Sequence, residues 1–386
     1  MQANSKRVVL HFPGFEPLDG AAHRARYARS AKQSAAVWNF DVSVGDAAEG
    51  SYPLSFAVAA SGDGWDMRSR FHMFDHDVLL RRLRSKSVSG QIIAGFLSAA
   101  RIIADGGMLG YFRYAWRFGL FFLFPFLMMM LGFSLSATIA VIPLDLELAP
   151  LHLLWSLALA LGFFVFAFLP AAERFYTLHL FADWEMAVAM GRMDRADFNE
   201  WLDECAAAAR TALGEAADEY VISSHSMGSN VAAHVIGMLL ERDPGIFDGK
   251  RVIFATLGSA ILQCALLRPA HQLRSRVGLI ARCPNIEWRD IHCLTDAIHF
   301  YKVRVVEACG HPDAPQPEIV FIRVKQMLTS EHYKKIKKDL LRVHRQYVLG
   351  PDIRAPFDFT LLTAGPLRRV PADCYRPEIE KTMELS

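Results

Sequence analysis

Two long stretches without Asp, Glu, Lys or Arg constrain this chain of 386 residues more than any other feature. The stretches Phe118–Leu144 and Ala149–Ala172 contain 27 and 24 residues. An α-helix needs about 20 apolar residues to cross the ~30 Å hydrocarbon layer of a membrane. Because the link Pro143–Pro150 is long enough only for a tight turn, residues 106–180 are predicted to form a transmembrane helical hairpin. A helical hairpin buried in a soluble core is the alternative.

The residues that flank these stretches predict how the hairpin is oriented. Arginines precede the first stretch and follow the second, whereas the link carries Asp145 and Glu147 and neither Lys nor Arg. Positive charge favours the cytoplasmic side, so both chain ends are expected in the cytoplasm and the link outside. The protein is therefore expected to be integral to a membrane, the inner or plasma membrane in a bacterium. Aromatic residues expected to form an interfacial belt are Tyr111, Phe112, Tyr114, Trp116, Phe175, Tyr176 and Trp184.

Charge and cysteine content exclude some classes of function. The formal net charge of +2 gives no electrostatic support for binding nucleic acid. The cysteines have neither CxxC spacing nor a paired Cys/His pattern, so reduced thiols and no metal site are expected. The first residues lack the apolar core of a signal peptide, so export of the N-terminal part is not expected. The six cysteines are Cys205, Cys264, Cys283, Cys293, Cys309 and Cys374.

Outside the hairpin, short apolar segments alternate with helix-like segments roughly 30–40 residues apart. This alternation is typical of an α/β fold with a mostly parallel sheet covered by helices on both faces. One domain is expected, formed by residues 1–105 and 181–386 and interrupted by the hairpin. The predicted strands are Val8–Phe12, Pro53–Ala60, Tyr220–Ser223, Arg251–Leu257, Ile286–His292 and Glu318–Leu328. The predicted helices include Ala21–Trp38, Val78–Ser85, Ile92–Ile103, 194–217 and Val231–Leu240.

The segment Ser224-His225-Ser226-Met227-Gly228 follows an apolar strand and precedes a small-residue helix. A serine on a sharp strand-to-helix turn is exposed to substrate and to a base, so Ser226 is a candidate nucleophile. Small residues two positions before and after it allow the bend, although Ser224 stands where Gly is usual. The alternative is a Ser-rich loop that caps a helix.

The loop Pro13-Gly14-Phe15 follows the first predicted strand. Beside a serine turn, such a loop is where backbone N–H groups should face a developing oxyanion, so Phe15 and Met227 are the candidate donors. An ordinary Pro-Gly turn is the alternative.

A serine nucleophile also needs a histidine base and an acid that orients it, in the order Ser, acid, His for this kind of sheet. Asp290 and Asp296 are the acids at strand ends, with Asp313 in a later loop. His225 is not expected to be the base, because an immediate neighbour cannot easily aim its ring at Ser226. The histidines that follow the acids are His299, His311, His332 and His344.

At these residues the chain resembles the α/β-hydrolase fold, and within it the lipase- and esterase-like members. The resemblance rests on the serine turn, on Pro13-Gly14-Phe15, on Trp288 eight residues before Asp296, and on His344-Arg345-Gln346-Tyr347. It covers residues 7–17 and about 218–350, and the inserted hairpin is foreign to the common pattern. The resemblance favours Asp296 over Asp290 and His344 over His332, which stay as alternatives.

These features together predict a membrane-anchored serine hydrolase that cleaves carboxylic esters through an acyl-enzyme. Ser226 would attack, His344 would act as base and then acid, and Asp296 would orient the imidazole. No metal or organic cofactor is expected, and the location beside a bilayer makes a lipid-like or acyl ester a reasonable substrate. The alternative is a catalytically inactive scaffold or interaction protein, which the departure at Ser224 favours. A transporter is disfavoured because the two spans carry no ionisable residue except His152.

Overall fold

The computed structural model describes residues 4–48, 50 and 52–366. Eight strands form one sheet in this part of the chain, and six of them are joined to one another by parallel pairing. The predicted α/β class with a mostly parallel sheet flanked by helices is therefore confirmed. The strands are β1 Asn4–Phe12, β2 Asp41–Val44, β3 Leu54–Gly62, β4 Trp65–Met73, β5 Glu219–His225, β6 Val252–Leu257, β7 Ile286–Cys293 and β8 Glu318–Ile322.

The helices cover both faces of this sheet. A π-helical segment, Phe163–Phe168, and a 3-10 segment, Arg345–Val348, accompany them. The helices are α1 Gly20–Trp38, α2 Asp77–Arg84, α3 Val88–Ala104, α4 Gly107–Tyr114, α5 Trp116–Asp145, α6 His152–Gly162, α7 Leu169–Glu173, α8 Thr177–Arg192, α9 Ala196–Leu213, α10 Gly228–Arg242, α11 Ile261–Ala265, α12 His271–Arg282, α13 Val305–Ala308, α14 Val324–Met327, α15 Ser330–Ile336, α16 Leu340–His344 and α17 Phe359–Ala364.

The sheet order is β2-β3-β4-β1-β5-β6-β7-β8. From β1 the chain crosses to one side, builds β2, β3 and β4, and then returns to the other side of β1 as β5. Loops that leave the carboxyl ends of β1 and β5 in opposite directions open a crevice between them. The serine turn and the Pro13-Gly14-Phe15 loop both begin at this crevice.

Three strand predictions need correction. Neither β2 nor β4 was predicted from the sequence. In β4, exposed Arg68 and Arg70 alternate with buried residues, so the segment shows no continuous apolar run. Such alternation is typical of a strand with one solvated face. The strand predicted over Glu318–Leu328 ends at Ile322, and the remainder forms α14.

Alternating strand residues contribute to two hydrophobic cores, one on each face of the sheet. On β1, Val8 and Leu10 pack with α8, α9 and α10, whereas Val9 packs on the opposite face with α1 and α17. The first core continues into the start of α5, whose Phe118, Phe122 and other residues are buried. The hairpin is therefore anchored in the core of the domain rather than attached by a linker.

The hairpin prediction is supported by two helices that are long and apolar enough to cross a membrane. They are α5 and the continuous helix His152–Glu173, which contains α6, the π-helical segment and α7. Their most apolar windows are 39% and 17% buried inside the protein. The larger fraction for α5 reflects its first turns, which pack against α8 before the helix leaves the domain.

The predicted aromatic belt is only partly compatible with the structure. Tyr111 and Trp184 are fully buried in the first core and contact Phe122, so they do not lie at an interface. Trp116 and Phe175 are more than half exposed at the base of the hairpin. Proximity in sequence to an apolar stretch did not distinguish an interfacial belt from a core. The reason is that α4 and α8 pack against other helices of the domain.

Another sequence expectation lies partly outside the described residues. Five cysteines carry free thiols, as expected, and Cys374 lies beyond the described part of the chain. Four of the five are buried, and Cys283 is partly exposed.

Close packing inside the hairpin can be tested with two of its glycines. A methyl group at Gly132 would lie 2.2 Å from a ring carbon of Phe168, whereas one at Gly162 would meet no atom within 4 Å. We expect Gly132→Ala to lower the free energy of unfolding by about 1–3 kcal/mol, because the helices must separate. Gly162→Ala, the matched control, should be neutral or stabilising. Thermal unfolding in one detergent measures both, and equal melting temperatures would contradict this packing.

Candidate active site

Ser226 occupies a sharp turn between β5, which ends at His225, and α10, which begins at Gly228. Its φ angle is 51°, a left-handed conformation that is uncommon for a residue with a side chain. The Ser226 N–H donates to Leu257 O at 3.1 Å, which ties the turn to the end of β6. The side chain is partly exposed in an otherwise buried segment. Such local strain is typical of functional turns that the surrounding structure enforces.

Two small residues make this turn sterically possible. A side chain at Gly228 would place its first carbon 2.2 Å from Phe12 O and 2.3 Å from Pro13 O, where no atom fits. Ser224 is buried, and its hydroxyl donates to Ala255 O at 3.4 Å on the neighbouring strand. The serine that replaces the more usual glycine therefore has a satisfied hydroxyl and leaves the turn intact.

The Pro13-Gly14-Phe15 loop lies directly against the serine turn. A side-chain carbon at Gly14 would be 3.3 Å from Ser226 Cβ and 2.7 Å from His225 Nδ1. Among the described residues, neither the Phe15 N–H nor the Met227 N–H donates to a protein acceptor. Met227 also precedes the first turn of α10, where the helix dipole favours negative charge. Both proposed oxyanion donors are thus available beside the serine.

Two buried histidines that sequence reasoning missed hold this loop in place. His76 Nε2–H donates to Pro13 O at 2.7 Å, and His179 Nε2–H donates to Phe15 O at 2.9 Å. The His179 ring also stacks on Phe15, with ring centroids 5.1 Å apart. Burial lowers the pKa of each histidine to about 4, so both are neutral near pH 7. No sequence motif marks them, because they reach the loop from distant parts of the chain.

His344 and Asp296 form the second half of the site. Asp296 follows β7 and His344 ends α16, and His344 Nδ1–H donates to Asp296 Oδ2 at 2.7 Å. Tyr347 donates its hydroxyl to the same oxygen at 3.1 Å, and the Ile298 N–H donates to Oδ1 at 2.9 Å. Burial alone would raise the pKa of Asp296, but the neighbouring His344 and His299 hold it well below its usual range. The carboxylate is therefore ionised and orients the imidazole.

Ser226 and His344 line the same pocket, which we call the serine pocket. Its volume is about 50 Å³, and Phe15, His179, Asp183 and Gln263 also line it. His344 Nε2 is buried and has no hydrogen-bond partner in the described part of the chain, Ser226 Oγ included. Catalytic hydrogen bonds are often long before substrate binds. The arrangement provides a hydroxyl, an imidazole nitrogen that can accept its proton, and N–H donors around one small volume.

The alternative acid and base lie elsewhere. Asp290 accepts from Thr256 Oγ1 at 2.7 Å and pairs with His292 at 2.8 Å, so its carboxylate is engaged within the sheet. His332 pairs with Asp352 at 2.8 Å and lines a different, open cleft. The structure thus brings Ser226, Asp296 and His344 to one site and leaves Asp290 and His332 outside it.

His225 packs below the turn, as its position beside Ser226 suggests. Its Nε2–H donates to His344 O at 3.0 Å, and the two imidazole rings are 4.7 Å apart. Burial and the adjacent His344 lower the pKa of His225 well below its usual value, so the ring is neutral. His225 therefore positions the backbone of His344.

Helices α8 and α11 add a polar wall that sequence reasoning also missed. Gln263 Nε2 donates to Asp183 Oδ2 at 2.8 Å, and both residues line the serine pocket. Burial raises the pKa of Asp183 to about 6. The only sequence signal for this wall was the spacing of His179 and Asp183. They are four residues apart, which places both on one face of a helix.

Within the described residues, no three His, Cys, Asp or Glu side chains are arranged to hold a metal ion. Comparison of the chain with known protein families, with curated proteins and with solved structures finds no match. The chemistry of the site therefore has to be argued from its own geometry.

The two loop-holding histidines generate a test of pH dependence. Unfolded histidines protonate near pH 6.5, whereas His76 and His179 protonate at about pH 4 when folded. Between these values the unfolded state binds more protons, so the free energy of unfolding should fall as pH decreases. In this window each histidine adds up to about 1.4 kcal/mol per pH unit to the slope of the free energy of unfolding against pH. Above pH 6.5 it adds nothing to that slope.

Thermal unfolding measured from pH 7.5 to 4.5 checks this expectation. His76→Gln retains an amide donor for Pro13 O. It should reduce the slope of the free energy of unfolding against pH by the contribution of one histidine. Ser89→Ala, an exposed change that removes no titratable group, is the control and should leave the slope unchanged. An unaltered slope in His76→Gln would contradict the assignment of a neutral, buried donor.

Proposed function

We propose that this protein is a membrane-anchored serine hydrolase of the α/β-hydrolase type that cleaves carboxylic esters. The observation that carries the proposal is the His344–Asp296 hydrogen bond, with the free His344 Nε2 in the pocket that also holds Ser226. An imidazole whose Nε2 has no other partner, beside a strained serine turn, is suited to accept the serine proton.

The reaction follows from the position of each group. Ser226 Oγ attacks the ester carbonyl carbon while His344 Nε2 takes the hydroxyl proton. The carbonyl oxygen becomes an oxyanion and accepts hydrogen bonds from the N–H groups of Phe15 and Met227. The intermediate collapses when His344 gives its proton to the leaving alcohol, which breaks the ester bond and leaves Ser226 acylated.

Water completes the cycle by the same route. His344 takes a proton from water as the water oxygen attacks the acyl-enzyme, and then returns a proton to Ser226 Oγ. The free carboxylic acid leaves, and the enzyme is regenerated. Asp296 keeps the imidazole in one tautomer and stabilises the imidazolium that forms twice per cycle. Each oxyanion donor typically contributes about 10²–10³-fold to the rate.

The sheet topology supports the more specific α/β-hydrolase assignment. The turn that follows β5 carries the serine, the loop that follows the adjacent β1 supplies a donor, and the acid follows β7. The base lies after β8, so the chain order is Ser, acid, His, as that fold requires.

The two apolar helices support membrane insertion, and we propose that both spans cross the bilayer with the hydrolase domain in the cytoplasm. The link between the spans contains Asp145 and Glu147, whereas Arg113, Arg117 and Arg174 lie at the domain end. Substrate would then come from, or lie beside, the cytoplasmic leaflet.

A catalytically inactive scaffold is the second candidate, and the small volume of the serine pocket favours it. About 50 Å³ holds little more than water, whereas substrate pockets usually enclose about 300–1,000 Å³. This candidate requires a folded protein with an unreactive Ser226.

Labelling with a fluorophosphonate probe tests the proposed function on the full chain in detergent. Wild-type protein should be labelled covalently, and Ser226→Ala should not be labelled at all. Asp296→Asn and His344→Gln should label at least about 10³-fold more slowly, because the serine proton has no oriented acceptor. His332→Gln, the control for loss of a histidine–aspartate pair, should label at the wild-type rate. Failure of folded wild-type protein to react would support the scaffold and overturn the proposal.

A further inference from the structure

A second, larger cavity adjoins the serine pocket at the base of the hairpin. This hairpin-base cavity encloses about 640 Å³. Phe121, Tyr176, Leu180 and Leu341 line both spaces and form the wall between them. The cavity therefore adjoins the serine pocket through these four shared residues.

The two spaces differ in the part of a substrate that each could hold. The serine pocket has room for a reacting group but not for a chain, at about 50 Å³. The hairpin-base cavity falls in the ordinary range for ligand sites of about 300–1,000 Å³. Most of its wall is apolar, with Leu120, Phe124 and Phe175 as examples. A substrate with a long apolar part could occupy the two spaces only if its ester group lay at the wall between them.

The cavity lies where the two spans join the domain. One side is formed by the start of α5, including Trp116 and Leu120, and the other by residues that directly follow the second span, including Phe175. Trp116 and Phe175 are 59% and 54% exposed. Exposed aromatic residues at the ends of membrane spans usually lie at the level of the lipid headgroups. The cavity should therefore open at the cytoplasmic surface of the bilayer.

Three cations line this opening without a carboxylate partner in the described part of the chain. Arg117 contacts only Leu294 O and the Trp116 ring, and neither Arg174 nor Lys338 has an ion pair among the described residues. The single acid in the lining, Asp339, is already paired with Arg342. Three more exposed lysines, Lys334, Lys335 and Lys337, precede Lys338 in the chain. Clusters of this kind attract anionic lipid headgroups.

From these observations we infer that the hairpin-base cavity admits an anionic phospholipid laterally from the bilayer as substrate. An acyl chain occupies the apolar cavity, the lipid phosphate contacts Arg117, Arg174 and Lys338, and the ester reaches Ser226 past the shared wall. The inference rests on the proposed function and specifies its substrate class. Charge complementarity and continuity with the membrane spans favour this occupant over a soluble ester, which needs neither feature.

Hydrolysis assays with two kinds of substrate test the inference. Full-length protein in nanodiscs of phosphatidylcholine is supplied with phosphatidylglycerol bearing the same acyl chains, and released fatty acid is measured by mass spectrometry. A four-carbon p-nitrophenyl ester in solution reports on the chemistry alone. Wild-type protein should hydrolyse phosphatidylglycerol at least about tenfold faster than phosphatidylcholine.

Matched charge variants identify the cause of that preference. The triple variant Arg117→Gln, Arg174→Gln, Lys338→Gln should lose about tenfold or more of its phosphatidylglycerol hydrolysis and keep its activity on the soluble ester. The control triple variant Lys32→Gln, Arg68→Gln, Lys325→Gln removes the same charge from exposed positions outside the cavity lining, and should behave as wild type. If net charge alone were the cause, the two triple variants would lose phosphatidylglycerol hydrolysis equally, and this result would overturn the inference.

A binding measurement separates this inference from the proposed chemistry. Native mass spectrometry of the Ser226→Ala protein in detergent should detect bound phosphatidylglycerol, and the cavity triple variant should bind at least about tenfold less. Inorganic phosphate at millimolar concentration should not compete, because it lacks the acyl chains that fill the cavity. Loss of all ester hydrolysis with lipid binding intact would refute the enzyme, whereas ester hydrolysis with no lipid preference or charge effect would refute only the lipid site.

Discussion

The contact on which the rest of the site depends is the approach of the end of β1 to the serine turn. Gly228 lies against the carbonyl groups of Phe12 and Pro13, and Gly14 lies against Ser226 and His225. Parallel pairing of β1 with β5 at the centre of the sheet brings these backbones together. Any bulk at either glycine would move the Phe15 N–H away from the serine. Because the candidate oxyanion donors are backbone N–H groups, their position beside Ser226 depends on this packing.

Burial determines the protonation state of the groups around this contact. His76, His179 and His225 are kept neutral by desolvation, so each donates one N–H to a backbone carbonyl. Asp296 is as deeply buried, yet it stays ionised because His344 and His299 face it. A dry environment strengthens these hydrogen bonds and fixes their direction. Exclusion of water by the fold therefore sets the protonation states and hydrogen bonds of the candidate site.

The apolar helical hairpin is packed into the core of the α/β domain. The first turns of α5 bury Phe118 and Phe122 in the main core, beside Trp184 of α8. Helix α8 then carries His179 and Asp183 to the serine pocket. Helices α5 and α8 therefore connect the apolar hairpin, the hairpin-base cavity and the Pro13-Gly14-Phe15 loop. A change in how the spans sit would be transmitted directly to the site, because no flexible linker intervenes.

The sequence alone determined the features that short-range patterns encode. Uncharged length predicted the two spans, apolar runs predicted most parallel strands, and the spacing of Ser224, Ser226 and Gly228 predicted the turn. It did not predict β4, whose alternating charges hide a strand, and only a resemblance chose Asp296 and His344 over Asp290 and His332. Tertiary structure alone decided that His76 and His179 hold the Phe15 loop and that Lys338 joins Arg117 and Arg174. The reason is physical: the two histidine contacts join residues 63 and 164 positions apart, and only packing brings them together.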